Sequence, residues 1–156
     1  MMGMQDKVYI AGISCTKLGK RLDASVKQMV REAVDAALAD AGASVGDVDA
    51  AWFSNTRQPM LEGQNTVRGQ IALRPLGFES VPVVNIENAC ASGSSALIQA
   101  MAHLRAGMAD IALVVGAEKM VFPDRPEAMA AAFEGGTDIH DMEATKAFVR
   151  SLGGDA

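Results

Sequence analysis

The sequence predicts an α/β fold in which helices pack on a parallel sheet. Short β-branched or apolar runs alternate along the chain with stretches whose apolar residues recur at helical spacing. Residues 110–116 form an almost wholly apolar run, as expected for a strand covered by helices on both faces. With 156 residues, 49% of them hydrophobic, the chain is long enough to bury a real core. Alternating strands and helices are typical of layered α/β sheets.

The first two elements are predicted as a strand over residues 7–13 and a helix over 26–41. Asp23 and Ser25 are both candidates for the helix N-cap, and Gly42 marks its C-terminal end. Charged residues occupy the opposite face of this helix, which we interpret as a solvated surface. Its apolar residues form an unbroken stripe: Val26, Met29, Val30, Ala33, Val34, Ala37, Leu38 and Ala41.

The middle of the chain is predicted as a strand over 50–53, a polar loop over 54–63 and a helix over 64–73. Pro75 and Gly77 end that helix. Near the C-terminus, residues 144–152 predict a short helix. Scattered arginines could meet a phosphate, but such residues mostly lie on the surface, and we favour the surface role for Arg57, Arg68 and Arg74.

The stretch around Cys90 predicts a strand that stops at Asn88, a tight elbow that turns at residues 89–90, and a helix over about 92–106. A β-branched strand over 83–86 leads into the elbow, and small residues follow it. Cys90 would then lie at a helix N-terminus, where free N–H groups and the helix dipole stabilise a thiolate. Such a sulfur suits nucleophilic attack on a carbonyl. Cysteine is also a common buried packing residue, so position alone leaves both roles open.

The other cysteine and the two histidines have weaker claims to chemistry. Cys15 follows the first predicted strand, has no helix-terminal elbow, and is predicted to pack structurally. His103 lies roughly 20 Å beyond Cys90 along the same helix and cannot reach its sulfur; we expect a partly exposed helix residue. His140, beside Asp138 and Asp141, reads as a solvated loop residue.

Charge and composition exclude several classes of function. The net charge of −5 argues against nucleic acid or an anionic membrane as a partner. Two distant cysteines and two histidines predict neither a disulfide framework nor a metal site. The first residues lack the features of a signal peptide, and no run approaches the 18 or so apolar residues that span a bilayer. We therefore expect a cytoplasmic protein.

Two segments resemble the thiolase superfamily, most closely its sterol carrier protein (lipid-transfer-protein) type. They are Asn-Ala-Cys-Ala-Ser-Gly-Ser-Ser-Ala-Leu at 88–97 and Gly-Ala-Glu-Lys-Met at 116–120, and earlier segments agree in order. The resemblance covers about residues 7–120. It implies that Cys90 takes an acyl group from coenzyme A, which is a substrate, without a covalently bound cofactor. For Glu118, in the second segment, a capping role and a catalytic role both stay open.

The resemblance also implies a thiolase-like layered fold, of which this sequence would hold the first βαβαβ half. Residues 1–120 are then the N-terminal half-domain with the nucleophile elbow, and 121–156 begin the loop region that covers the acyl and pantetheine tunnel. In thiolases the second half supplies histidines and usually a second acid–base cysteine, and those motifs do not occur in this sequence.

The implied function is an acyl-CoA acyltransferase of lipid metabolism. It would cleave a 3-oxoacyl-CoA by thiolysis, or run the reverse Claisen condensation, through an acyl-cysteine at Cys90. The remaining catalytic residues would come from a C-terminal half or a second chain. The alternative is a non-catalytic or aldolase-associated subunit that acts by protein–protein contacts. Expected partners are acyl-CoA, further copies of the chain in a homo-oligomer, and a second chain or a small OB-fold zinc-ribbon protein.

Overall fold

The computed structural model describes residues 7–155. Residues 1–6, part of the stretch without signal-peptide features, lie outside this description. The chain divides into two compact units, the first ending at Lys119 and the second beginning at Met120. The described helices and strands are α1 (Val26–Ala41), β1 (Ala50–Ser54), α2 (Gln58–Glu62), α3 (Arg68–Leu73), β2 (Val83–Ile86), α4 (Ser92–Arg105), β3 (Ala112–Gly116), α5 (Pro126–Glu134) and α6 (Met142–Ser151).

The first unit is built on a three-stranded parallel sheet in the order β2-β1-β3. Every residue of the central strand β1 is buried. Because side chains alternate along a strand, Phe53 joins a core with α1 and α3, whereas Trp52 joins a second core with α4. Helices therefore cover both faces, which confirms the predicted layered α/β fold.

Helix α1 confirms the predicted stripe and its boundaries. Ser25 is the N-cap: its Oγ accepts from the backbone N–H of Gln28 at 3.2 Å, and the Gln28 side chain accepts from the Ser25 N–H at 2.7 Å. This reciprocal capping box decides between the two candidate caps. The helix ends at Gly42 with φ 63°, a conformation that glycine adopts without strain.

The strand predicted over residues 7–13 is wrong, because this segment lies along α1 instead. The Ile13 N–H donates to the Asp40 carboxylate at 2.9 Å, and the Ser14 hydroxyl donates to the Ala33 carbonyl at 2.6 Å. The backbone N–H of Ile13 thus bonds to a helix side chain and not to a neighbouring strand, and Tyr9 is left 79% exposed. The packing role predicted for Cys15 is also wrong, since this residue is exposed.

The region between β1 and β2 differs from its prediction in two places. Helix α2 lies inside the predicted loop, and α3 begins at Arg68 rather than at residue 64. The late start has a local cause: Val67, immediately before α3, has φ 47° in the left-handed region. A residue in that conformation interrupts a right-handed helix, so the helical pattern upstream of it is not continued.

Replacing Val67 with asparagine should stabilise the protein. A left-handed conformation costs a residue with a Cβ atom about 1–2 kcal/mol, while asparagine tolerates it better. Val67 is 52% exposed, so little core packing is lost. We expect Val67→Asn to raise the free energy of unfolding by about 1 kcal/mol in urea titrations. Val67→Ala is the control, and an asparagine variant no more stable than the alanine variant would contradict the assignment.

Asp49 joins the start of β1 to the residues before β3. Its Oδ2 accepts from the N–H groups of Ile111 at 3.0 Å and Asp110 at 2.8 Å. These backbone hydrogen bonds, chiefly that from Ile111, hold the pKa of Asp49 below its ordinary value. A carboxylate with a lowered pKa contributes stability above its unfolded pKa of about 4, and that contribution is lost as the pH falls through the folded value.

We therefore expect Asp49→Asn to weaken the acid dependence of stability. Urea unfolding measured from neutral pH down through about pH 3 should show a shallower acid-side loss in Asp49→Asn than in the wild type. The matched control is Asp35→Asn, which removes an exposed carboxylate on α1. An unchanged acid-side slope in Asp49→Asn would show that this carboxylate does not link the two strands energetically.

The second unit holds α5 and α6. Helix α6 confirms the predicted C-terminal helix and begins two residues earlier, where the Asp141 side chain accepts from the Ala144 N–H at 3.0 Å. Helix α5 was not predicted. Pro126 occupies its first turn, where proline is well tolerated, and alanines with high helix propensity follow. The functional assignment of residues 1–120 and 121–156 stays a prediction.

Candidate active site

Buried polar side chains collect where β1 ends. Ser54, Asn55 and Arg57 follow one another at this end of the central strand, and Ser92 begins α4 beside them; these are the buried polar residues within 7–155. In parallel α/β sheets the carboxyl ends of strands are the usual place for a ligand or a reaction. Burying polar groups is costly unless they are hydrogen-bonded, so the contacts of each decide what the cluster does.

The strand, elbow and helix predicted around Cys90 are all present. Strand β2 ends at Ile86, a 3₁₀ turn spans Ala89–Ala91, and α4 begins at Ser92. Cys90 lies in this turn as an exposed free cysteine. Ala91 occupies the N-cap position of α4, and its methyl side chain cannot accept a hydrogen bond. The positive end of the helix dipole therefore lies beside Cys90 without a side-chain cap from that residue.

The residue before Cys90 has an unusual backbone conformation that hydrogen bonds hold in place. Ala89 has φ 45°, in the left-handed region. Its N–H donates to the Glu87 carboxylate at 2.7 Å, and its carbonyl accepts from the Ser92 hydroxyl at 2.8 Å. The Thr56 hydroxyl also donates to this carbonyl, at 3.1 Å. Both the N–H and the carbonyl of Ala89 are thus hydrogen-bonded, and these bonds fix the backbone direction from Ala89 into Cys90.

Ser92 belongs to the same hydrogen-bond cluster. Its hydroxyl oxygen accepts from the Asn88 N–H at 2.8 Å and lies 3.0 Å from the Thr56 hydroxyl oxygen. Ser92 therefore bridges the elbow, because it links Asn88, which precedes the turn, to the start of α4. The Asn88 side chain extends this closure by donating to the Ser95 hydroxyl at 2.9 Å.

Glu118, left open between capping and catalysis, makes contacts of the capping kind. Its carboxylate accepts from the backbone N–H of Thr56 and, at 3.2 Å, from that of Arg57. These two N–H groups lie on the segment that leaves β1. Glu118 follows β3. Its carboxylate therefore links the end of β3 to the segment that follows β1.

Asn55, at the end of β1, hydrogen-bonds to three other parts of the site and is almost completely buried. Its amide nitrogen donates to the Ala117 carbonyl at 2.7 Å, and its amide oxygen accepts from the Gln58 N–H at 3.3 Å. The Arg68 guanidinium donates to the same oxygen and to the Asn55 carbonyl, both at 3.0 Å. The surface role favoured for Arg57 and Arg68 is therefore wrong, because Arg57 is buried and Arg68 is half-buried against Asn55.

A glycine lets β3 approach β1 closely at Ser54, whereas α4 makes an ordinary contact there. A Cβ atom on Gly116, at the end of β3, would collide with the Ser54 side chain. A Cβ atom on Gly93, in the first turn of α4, would come to 3.9 Å from the Ser54 Oγ atom. Gly116 thus has a packing reason to be glycine, in the same segment as Glu118.

Each of the two histidines contacts a residue of its own unit. The ring of His103 contacts the Trp52 ring edge-on, with 5.1 Å between centroids, and is partly buried. This confirms the expectation for His103 and orients its ring toward the α4 core. His140 is exposed in the second unit, where its N–H donates to the Asp138 carboxylate at 3.0 Å.

Comparison with known proteins assigns the family. The family model described as the N-terminal domain of thiolase matches residues 8–153. The chain belongs to the thiolase superfamily. Over 119 residues this thiolase domain is 33% identical to sterol carrier protein 2 of Gallus gallus, covering 75% of the chain and 21% of that protein. It is 35% identical over 113 residues to acetyl-CoA acetyltransferase of Methanocaldococcus jannaschii, covering 72% and 29%.

A solved structure supports the same fold. The crystal structure of 3-oxoacyl-[acyl-carrier-protein] synthase III from Aquifex aeolicus superposes with a TM-score of 0.56 at 25% sequence identity, covering 63% of this chain and 31% of that one. The thiolase domain thus spans between a fifth and a third of the length of these proteins.

The described part of the thiolase domain has neither a metal-binding cluster nor a membrane-spanning helix. Within residues 7–155, His, Cys, Asp and Glu side chains do not gather in groups of three or more that could hold a metal ion. In the same part of the chain, every helix is too short or too polar to cross a membrane.

Sequence reasoning missed Asn55, Thr56 and Ser92. A signal was available for the first two: Ser-Asn-Thr follows directly on the apolar run of β1, and polar residues at the end of a central strand mark a candidate site. Ser92 carried no comparable signal, because a serine in a small-residue stretch has no distinctive spacing. In the structure Thr56 bonds to Ala89 and Ser92 bonds to Asn88, both at the elbow of the thiolase domain, while Asn55 holds the segment next to Thr56.

Proposed function

We propose that this chain is the N-terminal part of a thiolase-type acyltransferase in which Cys90 takes the acyl group from an acyl-CoA. The observation that carries the proposal is the position of Cys90, an exposed thiol in a hydrogen-bonded elbow at the N-terminus of α4. The name of the Methanocaldococcus relative, acetyl-CoA acetyltransferase, supports acyl-CoA as the substrate class. Coenzyme A is then a substrate, and the reaction needs no covalently bound cofactor.

The chemistry follows from the elbow. The sulfur of Cys90 attacks the thioester carbonyl carbon, a new carbon–sulfur bond forms, and the bond to the coenzyme A sulfur breaks. The cysteine proton ends on coenzyme A, which leaves as a free thiol, and nothing is oxidised or reduced. The positive end of the α4 dipole favours the negative charge of the attacking thiolate. The small side chains of 91–96 leave room for an acyl-CoA to reach the sulfur.

The later steps need groups beyond those around the elbow. Thiolysis delivers the acyl group to a second coenzyme A, whereas condensation removes a proton from a second acyl-CoA and joins its carbon to the acyl group. Each direction requires a general base, and His103 is engaged with Trp52. We propose that the bases come from a C-terminal half or a second chain, and that the assembled enzyme is a homo-oligomer.

Release of coenzyme A tests the proposal. The native preparation is mixed with acetyl-CoA, and free coenzyme A is quantified over time by chromatography, so that an initial burst is separated from slower release by condensation with a second acetyl-CoA. A burst stoichiometric with the chain is expected, because the first half-reaction ends at the acyl-cysteine. A burst that disappears after prior alkylation of the chain supports the enzyme. No burst would favour the alternative, a thiolase-like subunit that acts through protein–protein contacts.

A further inference from the structure

We propose that Thr56 is a positioning residue for Cys90. Its hydroxyl holds the Ala89 carbonyl and so keeps Ala89 in the left-handed conformation that presents the sulfur at the elbow. Thr56 acts through Ala89 and not on the substrate. The inference rests on the proposed function, because it assumes that the reactivity of Cys90 is what the elbow serves.

The conformation of Ala89 needs external support. A φ of 45° is uncommon for a residue other than glycine, and such conformations persist where the surrounding structure determines them. Of the contacts to Ala89 described above, those from Glu87 and Ser92 come from within three residues along the chain. Thr56 lies 33 residues away and belongs to the segment after β1. It therefore ties the elbow to the central strand of the sheet.

The number of hydroxyl protons shows why Thr56 is not redundant with Ser92. The oxygens of Thr56, Ser92 and the Ala89 carbonyl lie within 3.1 Å of one another. Three contacts are served by two hydroxyl protons, one from each side chain. The Ala89 carbonyl also accepts from the backbone N–H of Ser92. If the Ser92 hydroxyl donates to Ala89, Thr56 supplies a second side-chain bond to that carbonyl. If the Ser92 hydroxyl donates to Thr56, then Thr56 supplies the side-chain bond to the carbonyl, beside the backbone bond from Ser92.

Thr56 is itself held by a residue that follows β3, the strand on the opposite side of β1 from β2. The Glu118 carboxylate accepts from its backbone N–H, and the next N–H, that of Arg57, donates to the same carboxylate. A continuous series of hydrogen bonds thus runs from the end of β3, through the end of β1, to the residue that precedes Cys90. Glu118 and Thr56 together therefore connect the end of β3 to the elbow.

The two exposed cysteines make the inference measurable in one sample. Iodoacetamide alkylation of Cys90 and Cys15 is followed by peptide mass spectrometry, and Cys15 serves as the internal reference. In the wild-type chain Cys90 should react faster than Cys15. Thr56→Val removes the hydroxyl at nearly constant shape, and should lower the ratio of the two rates roughly fivefold, as expected for one lost hydrogen bond. Thr56→Ser should keep the ratio, and so should the control Thr66→Val at an exposed threonine.

A double variant separates positioning from general damage. Glycine adopts positive φ without a steric penalty, so Ala89→Gly added to Thr56→Val should restore much of the ratio. If the ratio of Cys90 to Cys15 alkylation rates is high in the wild type and unchanged in Thr56→Val, the role of Thr56 is overturned. The proposed function is not affected by that result. A ratio near one in the wild type contradicts the proposed function itself. If Thr56→Val fails to fold by circular dichroism, a fall in the ratio of Thr56→Ser overturns the inference.

Discussion

Replacement of Cys90 by alanine should abolish acyl transfer and leave the fold intact. The sulfur is the atom that forms the covalent intermediate, and loss of a nucleophile lowers the rate at least about a thousandfold. Because Cys90 is exposed, the free energy of unfolding should change by less than about 0.5 kcal/mol. Turnover of acyl-CoA by the assembled enzyme and urea unfolding of the same variant measure the two effects.

The chain offers a matched control for this experiment. Cys15 is the other free cysteine, also exposed, and its sulfur lies 3.4 Å from the carbonyl oxygen of Thr16. Cys15→Ala removes the same sulfur from a segment that has no elbow, and should retain full transfer activity. Turnover retained in Cys90→Ala, or lost in Cys15→Ala, would show that the nucleophile has been assigned to the wrong residue.

Gly69→Ala is expected to cause the largest loss of stability. Gly69 lies in α3 against the sheet, where an added Cβ atom would come to 2.6 Å from the Phe53 Cβ atom and 2.8 Å from a methyl group of Val83. Its N–H donates to the Asn85 side chain at 2.6 Å, so movement of α3 also disturbs β2. Overpacking of a buried site costs about 1–3 kcal/mol, and we expect the upper end of that range.

The effect should reach the elbow, because Asn85 lies on the strand that leads to Cys90. Urea unfolding measures the stability of Gly69→Ala, and alkylation of Cys90 measures the elbow. Gly46→Ala is the control: an added Cβ atom there would approach the Ser44 hydroxyl no closer than 3.8 Å. Equal stability of the two alanine variants would mean that α3 does not pack on the sheet as described.

The elements predicted well are those whose signals are local. The stripe of α1 with Ser25 and Gly42, and the apolar runs of β1 and β3, depend on spacing within a few residues. The strand predicted over 7–13 failed because apolar residues make a strand only when a partner strand pairs with them. Here the segment lies against α1, and the Ile13 N–H donates to Asp40. The start of α3 failed because nothing in the sequence marks Val67 as left-handed.

The candidate site divides in the same way. Cys90 could be found from sequence because a strand, a turn and a small-residue helix follow one another directly. The residues that hold its elbow could not, because their contacts join positions far apart: Thr56 with Ala89, and Asn55 with Ala117, 62 residues on. Only the parallel pairing of β1 with β2 and β3 brings these ends together.

The most direct test of the central claim is intact mass spectrometry of the native preparation before and after incubation with acetyl-CoA, followed by peptide mapping. We predict one added acetyl group on the peptide that contains Cys90, removable by hydroxylamine as a thioester is. A second chain that copurifies would be identified in the same spectrum. No adduct, or an adduct confined to the peptide that contains Cys15, would contradict the claim that Cys90 receives the acyl group.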